Sequence, residues 1–170
     1  MNDTVIHADD APAPVGTYPH ARRVGDLLFL SGIGPRHPGS NAIPGNVHDA
    51  AGTLVAYDIE AQCRQVFANV RAVLEASGAG WGDLVDVTVF LTDMTRDFAT
   101  YNRLYAEHFV GVEACRPTVG ISTLPTQIAI ERHCVAALPV TSRGRRGQPV
   151  PAAPTAPPNL GVATPHHGVP

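Results

Sequence analysis

Two neighbouring stretches decide the fold: residues 58–78 read DIEAQCRQVFANVRAVLEASG, and residues 85–91 read VDVTVFL. In the first stretch the apolar residues recur at helical spacing and form one face: Ile59, Cys63, Val66, Phe67, Val70, Val73 and Leu74. Asp58 is placed to cap this helix, and Gly78 to end it. In the second stretch Val and Leu alternate with other residues, which is typical of a β-strand. The centre of the domain is therefore predicted to be a helix followed by a strand.

Further strands and a second helix are predicted around this centre. Strands are predicted for residues 18–24, 26–33, 53–55, 117–122 and 127–137. Asp97 is placed to cap a second helix, whose apolar side is formed by Phe98, Tyr101, Leu104, Tyr105, His108 and Phe109. The order is βββαβαββ. It predicts an α/β (α+β) fold in which a mixed sheet carries two helices on one face.

The other face of the sheet also has to be covered. The strand Leu27-Leu28-Phe29-Leu30 is apolar at both parities and is therefore predicted to be buried on both faces. Two helices cover only one of those faces. Self-association would bury the second, so a closed homo-oligomer is expected, with functional sites between its subunits.

The 170-residue chain contains no lysine, since all 12 of its basic residues are arginines. This excludes a Schiff-base lysine, a pyridoxal-phosphate anchor and a P-loop lysine. The formal net charge is −3, and all 15 acidic residues lie at or before Glu131, which argues against nucleic acid as a partner. Arginine remains as the fixed cation for an acidic ligand, and neither a cofactor nor a metal is expected.

Composition also predicts the domain boundaries and the compartment. Residues 1–138 are predicted to form one domain, and the Pro/Ala-rich residues 139–170 a disordered tail. The N-terminus lacks the segments of a secretory signal, and no apolar run approaches the roughly 18 residues of a membrane span. A cytoplasmic protein without membrane contact is therefore expected. Cys63 and Cys134 are predicted to be small core residues.

Arg116 and Glu131 are the candidate catalytic residues. Arg116 opens one predicted strand, and Glu131 follows apolar residues in the next. A guanidinium binds a carboxylate bidentately, and a carboxylate on a neighbouring strand could activate a water beside that substrate. Spacing alone leaves two ordinary interpretations open. Arg116 could be a surface charge, and Glu131 could form a salt bridge, even with Arg116.

A second group of candidates lies on the first two predicted strands. Alternation places Tyr18, His20 and Arg22 on one face, as binding residues or as the solvent side of an edge strand. Ser31-Gly32 ends the following apolar strand. It could offer a hydroxyl and a backbone N–H to a ligand, or simply be a strand end entering a loop.

Six pieces of the chain, in order between residues 11 and 138, resemble the reactive-intermediate deaminase family, also called the YjgF family. They are GTYP (16–19), FLSG (29–32), the helix after Asp58 with Asn69-Val70, VDVTVFLTD (85–93), FATYN (98–102) and RPTVG…LP…IE (116–131). The resemblance implies a chorismate-mutase-like fold and a homotrimer with sites in the clefts between subunits.

The resemblance also implies roles for individual residues. Arg116 is implied to bind a substrate carboxylate, and Glu131 to position the hydrolytic water. The pocket is implied to include Tyr18, Ser31, Gly32 and Asn102, while Thr118 stands where some members carry a cysteine.

Residues 18–25, 31–36 and 96–102 are most similar to the members that deaminate 2-aminomuconate in bacterial breakdown of aromatic compounds. That substrate carries two carboxylates. Three arginines are candidates for the second one, Arg22, Arg23 and Arg36, and alternation favours Arg22, on the face with Tyr18 and His20.

The implied reaction is hydrolytic deamination of an enamine or its imine tautomer, with release of ammonia. Two alternatives remain. One is a general deaminase of 2-aminoacrylate-type enamines. The other is a non-enzymatic, chaperone-like trimer that binds 2-oxo acids.

Overall fold

The computed structural model describes residues 4–138, so the predicted disordered tail at 139–170 lies outside the described residues. The elements are two helices and eight strands: β1 Thr4–Ile6, β2 Ala21–Val24, β3 Leu27–Leu30, β4 Val47–His48, β5 Leu54–Ala56, α1 Ile59–Ala76, β6 Leu84–Leu91, α2 Met94–His108, β7 Thr118–Gly120 and β8 Ile130–Ala137. A short 3₁₀ turn, Trp81–Asp83, precedes β6. Neither of these two helices is long and apolar enough to cross a membrane.

Six strands form one mixed sheet in the order β1-β2-β3-β8-β6-β7. All neighbours are antiparallel except β6 and β7, which are parallel. Gly25, with a φ of 62°, makes the predicted turn between β2 and β3. The strand predicted at 53–55 corresponds to β5, but it pairs with β4 in a separate hairpin. The main sheet instead gains β1, a three-residue edge strand that the sequence pattern did not predict.

The predicted buried face and both predicted ends of α1 are confirmed. The Asp58 carboxylate accepts hydrogen bonds from the N–H groups of Glu60 (2.9 Å) and Ala61 (3.2 Å). Gly78 follows the helix with a φ of 74°, a left-handed conformation that glycine adopts without strain. All seven predicted apolar positions are buried. The helix therefore covers the sheet with the side that its periodicity predicts.

The second helix begins earlier than predicted. Asp93, not Asp97, is the cap, and its carboxylate accepts the Arg96 N–H at 2.9 Å. Asp97 is buried inside the first turn, where it accepts the Tyr57 hydroxyl at 2.7 Å. Phe98 is 38% exposed and so does not belong to the buried side. The prediction for Asp97 was wrong because a residue 40 positions upstream supplies its partner.

Strand alternation separates a covered face of the sheet from an open one. Leu28 and Leu30 are buried on the helix side, whereas Leu27 and Phe29 are 42% and 39% exposed. Within one chain β3 is therefore buried on one face only, and the predicted burial of its second face by another subunit stays a prediction. We call the other side the open face. It also carries the exposed side chains Val24 and Val119, and it is the apolar surface for which the sequence predicts a covering partner.

Arg132 on β8 is the largest fully buried side chain of the described residues. It points to the helix side, and its guanidinium carbon lies 4.8, 5.0 and 5.6 Å from the ring centres of Phe67, Phe109 and Trp81. None of its three nitrogens has a hydrogen-bond partner within residues 4–138. Cation–π contacts with the three rings are thus the compensation that the described protein offers this charge.

Candidate functional site

Arg116 lies just before β7 and is held on two sides. Its Nη2 donates to Asn102 Oδ1 at 2.9 Å. Its guanidinium carbon lies over two rings of α2, 4.3 Å from the centre of Tyr105 and 5.6 Å from that of Tyr101. Nη1 is buried and has no hydrogen-bond partner in the described part of the chain. Arg116 therefore presents an oriented cation whose Nη1 donor is not satisfied by the described protein.

The parallel pairing of β6 and β7 positions this arginine. The N–H groups of Val87 and Val89 donate to the carbonyls of Cys115 (2.8 Å) and Pro117 (3.0 Å). Pro117 has no N–H to offer, which an edge strand tolerates. Thr118, the next candidate, has a buried hydroxyl without a described partner. One group of candidates, Arg116, Asn102 and Thr118, thus lies beside α2.

Glu131 lies near the start of β8 and faces away from Arg132, because successive side chains alternate. It is partly buried, and this burial raises the pKa of its carboxyl above the ordinary value. Within residues 4–138 it forms neither a hydrogen bond nor an ion pair. Gly32 approaches it so closely that a Cβ at this position would overlap Oε1. The carboxyl therefore remains available to a water or substrate.

A cleft beside Glu131 collects residues from three distant parts of the chain. It is lined by Tyr18, Gly32, Gly34, Arg36, Ile128 and Glu131, together with neighbouring loop residues. A second cleft shares Tyr18, Gly32 and Arg36 and adds His20 and Ser31. The second group of candidates is therefore Tyr18, His20, Ser31, Gly32, Arg36 and Glu131.

His20 and Ser31 of the second group bond to backbone groups near the cleft. His20 is buried, and its Nδ1 accepts the Ala8 N–H at 3.0 Å. Its Nε2 consequently carries the proton, which it donates to the Pro12 carbonyl at 3.1 Å. The Ser31 hydroxyl donates to the Pro19 carbonyl at 2.6 Å. His20 thus fixes the wall of the cleft, while Ser31 keeps its oxygen as an acceptor.

Arg22 lies away from this cleft. It pairs with Phe29 in the β2–β3 register, and Phe29 pairs with Val135 of β8. Val135 is four residues beyond Glu131, which is about 13 Å along a strand. The structure therefore does not place Arg22 with Tyr18 and His20 beside Glu131.

The sequence spacing of Arg116 and Glu131 predicted that they lie on adjacent strands. In the structure they do not. Strand β6 separates β7 from β8. Arg116 contacts the rings of α2, whereas Glu131 lies on the open face. Within residues 4–138 of one chain, the two side chains also form no salt bridge with each other. One chain therefore presents two half-sites, which we call the Arg116 half-site and the Glu131 half-site.

Tyr105 also belongs to the Arg116 half-site, although helical periodicity identifies it only as a core residue. The spacing of Tyr101 and Tyr105, one helical turn apart, was the feature of the sequence that could have indicated this pair of rings.

Metal ligands and reactive thiols are two further kinds of functional group to consider among the described residues. No three His, Cys, Asp or Glu side chains of residues 4–138 come together as metal ligands would. Burial raises the pKa of Cys63 to about 12 and also raises the pKa of Cys134. Both thiols stay protonated and unreactive.

Most of the described domain matches a known family. Residues 8–138 match the family described as endoribonuclease L-PSP, which corresponds to the reactive-intermediate deaminase or YjgF family. The chain belongs to this family. The predicted family and the α+β fold with two helices and a mixed sheet are thereby confirmed.

Named relatives each match more than three quarters of this chain. A RutC family protein of Pyrococcus horikoshii is 39% identical over 132 residues, covering 78% of this chain and 95% of the relative. The chloroplastic Reactive Intermediate Deaminase A of Arabidopsis thaliana is 34% identical over 134 residues, covering 79% and 65%. The crystal structure of E. coli TdcF with bound serine is 31% identical, with a TM-score of 0.67 and coverage of 79% and 98%.

Proposed function

We propose that this protein is a cytoplasmic, cofactor-independent deaminase that hydrolyses carboxylate-bearing enamines and imines, with 2-aminomuconate as its substrate in bacterial aromatic breakdown. The observation that carries the proposal is the oriented Arg116 guanidinium, whose buried Nη1 lacks a partner in the described chain. Similarity to the Arabidopsis deaminase supports the reaction. The serine bound to E. coli TdcF supports a small carboxylate ligand in this fold.

In the proposed reaction, Arg116 holds one substrate carboxylate and so fixes the reacting carbon. Protonation of the enamine at carbon gives an iminium ion, and water adds to the iminium carbon. Glu131 orients this water and accepts its proton. The resulting carbinolamine takes this proton back from Glu131 on its nitrogen. Its C–N bond then breaks and ammonia leaves, while the hydroxyl proton passes to Glu131 as the carbonyl forms. The raised pKa of Glu131 suits a group that accepts a proton and then returns it.

We further propose that the chain forms a homotrimer in which each site combines the Arg116 half-site of one subunit with the Glu131 half-site of another. Two observations support this arrangement. The half-sites face different directions within one chain. The open face presents Leu27, Phe29 and Val119 to solvent, and a second copy would bury them.

The shared site can be tested by mixing two inactive subunits. Arg116→Ala and Glu131→Gln are each expected to be inactive alone. When both are co-expressed, random assembly gives both intact groups at about a quarter of the interfaces, so about a quarter of wild-type activity should return. Light scattering should give the mass of a trimer. A trimer whose mixed form stays inactive would show that both groups act within one subunit.

The activity itself is tested by ammonia release from 2-aminomuconate and from 2-aminoacrylate, above the spontaneous rate. Arg116→Ala and Glu131→Gln should each lower kcat/KM by about 100-fold or more. Two exposed residues of α1 provide matched controls, Arg71→Ala and Glu75→Gln, which should retain activity. Near-wild-type kcat/KM for both site variants would refute the assignment.

The second candidate function is a general deaminase of 2-aminoacrylate-type enamines, which the name of the Arabidopsis relative favours. Faster turnover of 2-aminoacrylate than of 2-aminomuconate would establish this broader activity. Ligand binding without ammonia release above the spontaneous rate would instead indicate a non-enzymatic 2-oxo-acid binder.

A further inference from the structure

We infer that Arg36 binds the second carboxylate of a dicarboxylate substrate and so selects dicarboxylates over monocarboxylates. The inference rests on the proposed function, because it places the first carboxylate on Arg116 and the reacting carbon near Glu131. It adds a determinant of specificity to the Glu131 half-site.

Arg36 has the right place for this role. It lines the cleft that contains Glu131 and also the adjoining cleft that contains Ser31, and both clefts share Tyr18 and Gly32. A substrate whose reacting carbon lies at Glu131 can therefore extend toward Arg36 along a continuous surface. Because positions 32 and 34 are glycines, neither places a side chain in the space between Glu131 and Arg36.

The charge of Arg36 is not neutralised by the described protein. Its Nη1 donates to Asn41 Oδ1 at 2.7 Å and its Nη2 to the Ala13 carbonyl at 2.6 Å. Both acceptors are uncharged, and no acidic side chain of residues 4–138 forms an ion pair with it. Of the five N–H donors of a guanidinium, these bonds use two, which leaves three for a ligand. An anion in the cleft would meet an unpaired cation.

The same bonds hold the guanidinium in place before a ligand arrives. The backbone is fixed as well, because Asn69 of α1 donates from Nδ2 to the carbonyls of Gly34 (2.8 Å) and Arg36 (2.9 Å). Asn69 is itself buried. A cation that is already oriented loses little side-chain entropy on binding, which favours both affinity and selectivity.

The other two candidate arginines have different surroundings. Arg22 is displaced along the sheet, as its register with Phe29 and Val135 shows. Arg23 donates from Nε to the Gly25 carbonyl at 2.8 Å and lies 3.8 Å from the Asp26 carboxylate. The structure therefore favours Arg36 over Arg22, the arginine that strand alternation favoured.

Binding of two stable probes tests the inference without turnover. cis,cis-Muconate and sorbate are six-carbon dienes with two carboxylates and one, respectively. By calorimetry on the full-length protein, Arg36→Gln should weaken muconate binding by about 10- to 100-fold and change sorbate binding by less than about twofold. Arg71→Gln removes the same charge from an exposed site on α1 and should change neither affinity.

The outcomes separate this inference from the proposed function. Wild-type protein that binds both probes equally, or an Arg36→Gln variant that still prefers muconate, would overturn the role of Arg36. The role of Arg36 would also be overturned if Arg22→Gln lost the preference for muconate over sorbate while Arg36→Gln kept it. Ammonia release from 2-aminoacrylate would continue in those cases, so the deaminase proposal would stand. If the protein bound muconate selectively but released no ammonia, the role of Arg36 as an anion subsite would stand and the proposed deaminase activity would be refuted.

Discussion

The guanidinium carbon of Arg116 lies 4.3 Å from the centre of the Tyr105 ring. The same ring stacks on Phe109, with ring centres 3.9 Å apart and an angle of 10° between the planes. Phe109 in turn contacts Arg132 at 5.0 Å. Tyr105 thus connects the candidate carboxylate-binding residue to the packed interior between helices and sheet. Its ring therefore supports the Arg116 guanidinium from one side through a cation–π contact.

Replacing Tyr105 by Leu should weaken substrate binding more than turnover. Loss of a cation–π contact of about 0.5–2 kcal/mol corresponds to a roughly 2- to 30-fold rise in KM, with a smaller change in kcat. Tyr105→Phe keeps the ring and should behave as wild type, because the Tyr105 hydroxyl has no partner within residues 4–138. Steady-state kinetics of both variants provide the measurement. Equal KM values for the Leu and Phe variants would exclude a role for the ring.

Gly32→Ala should displace the Glu131 carboxylate, because the added methyl group would overlap Oε1. A shift of about 1 Å at a reacting group lowers the rate by about 100-fold, and kcat/KM should fall accordingly while the protein stays folded. Gly82→Ala is the matched control, since its Cβ would meet no atom within 4 Å. Normal kinetics of Gly32→Ala, with circular dichroism like the wild type, would separate Gly32 from the reaction.

The raised pKa of Glu131 predicts how stability depends on pH. The folded state holds this proton more tightly than the unfolded chain, whose glutamate has a pKa of about 4.3. The ionised carboxylate therefore destabilises the fold above its raised pKa. This penalty disappears as the pH falls below the pKa that the glutamate has in the unfolded chain. Glu131→Gln should accordingly be more stable than wild type at pH 7 and equal to it near pH 4.

Urea unfolding at the two pH values measures this difference. Glu75→Gln is the control, since Glu75 is exposed on α1 and its substitution should leave stability unchanged at both. A Glu131→Gln variant that is less stable than wild type at pH 7 would mean that the ionised carboxylate stabilises the fold, the opposite of the expected effect.

Arg132→Met should stabilise the fold. A buried arginine without hydrogen-bond acceptors carries a desolvation penalty of several kcal/mol, and cation–π contacts offset about 2 kcal/mol of it. Methionine keeps the apolar contacts with Phe67 and Phe109, so the free energy of unfolding should rise by about 1–4 kcal/mol. Arg64→Met, at an exposed position of α1, controls for the loss of charge. A clear drop in stability for Arg132→Met would mean that the cation has a partner beyond residues 4–138.

Local patterns predicted the elements well, and long-range pairing explains what they missed. The face of α1 and the alternation of β6 follow from periodicity, because burial repeats with the geometry of each element. The cap of α2 was misplaced because Asp93 and Asp97 both suit a helix start. The choice depends on Tyr57, which takes the Asp97 carboxylate from outside the helix.

The candidate site was predicted as a set of residues but not as an arrangement. Tyr18, Gly32, Arg36 and Glu131 do line one cleft, although they come from three distant segments. Arg116 and Glu131 were expected to be neighbours because their segments are consecutive strands of the main sheet. In the sheet, however, β6 enters between them. Sequence spacing carries no information about such an insertion. Yet the insertion of β6 decides whether one chain or two complete the proposed site.

The alternation along β8 makes Glu131 and Arg132 neighbours in the sequence but assigns them to different environments. Glu131 belongs to a cleft open to ligands, and Arg132 to a closed aromatic interior. Mutations that retune substrate preference on one side of this strand need not disturb the packing on the other.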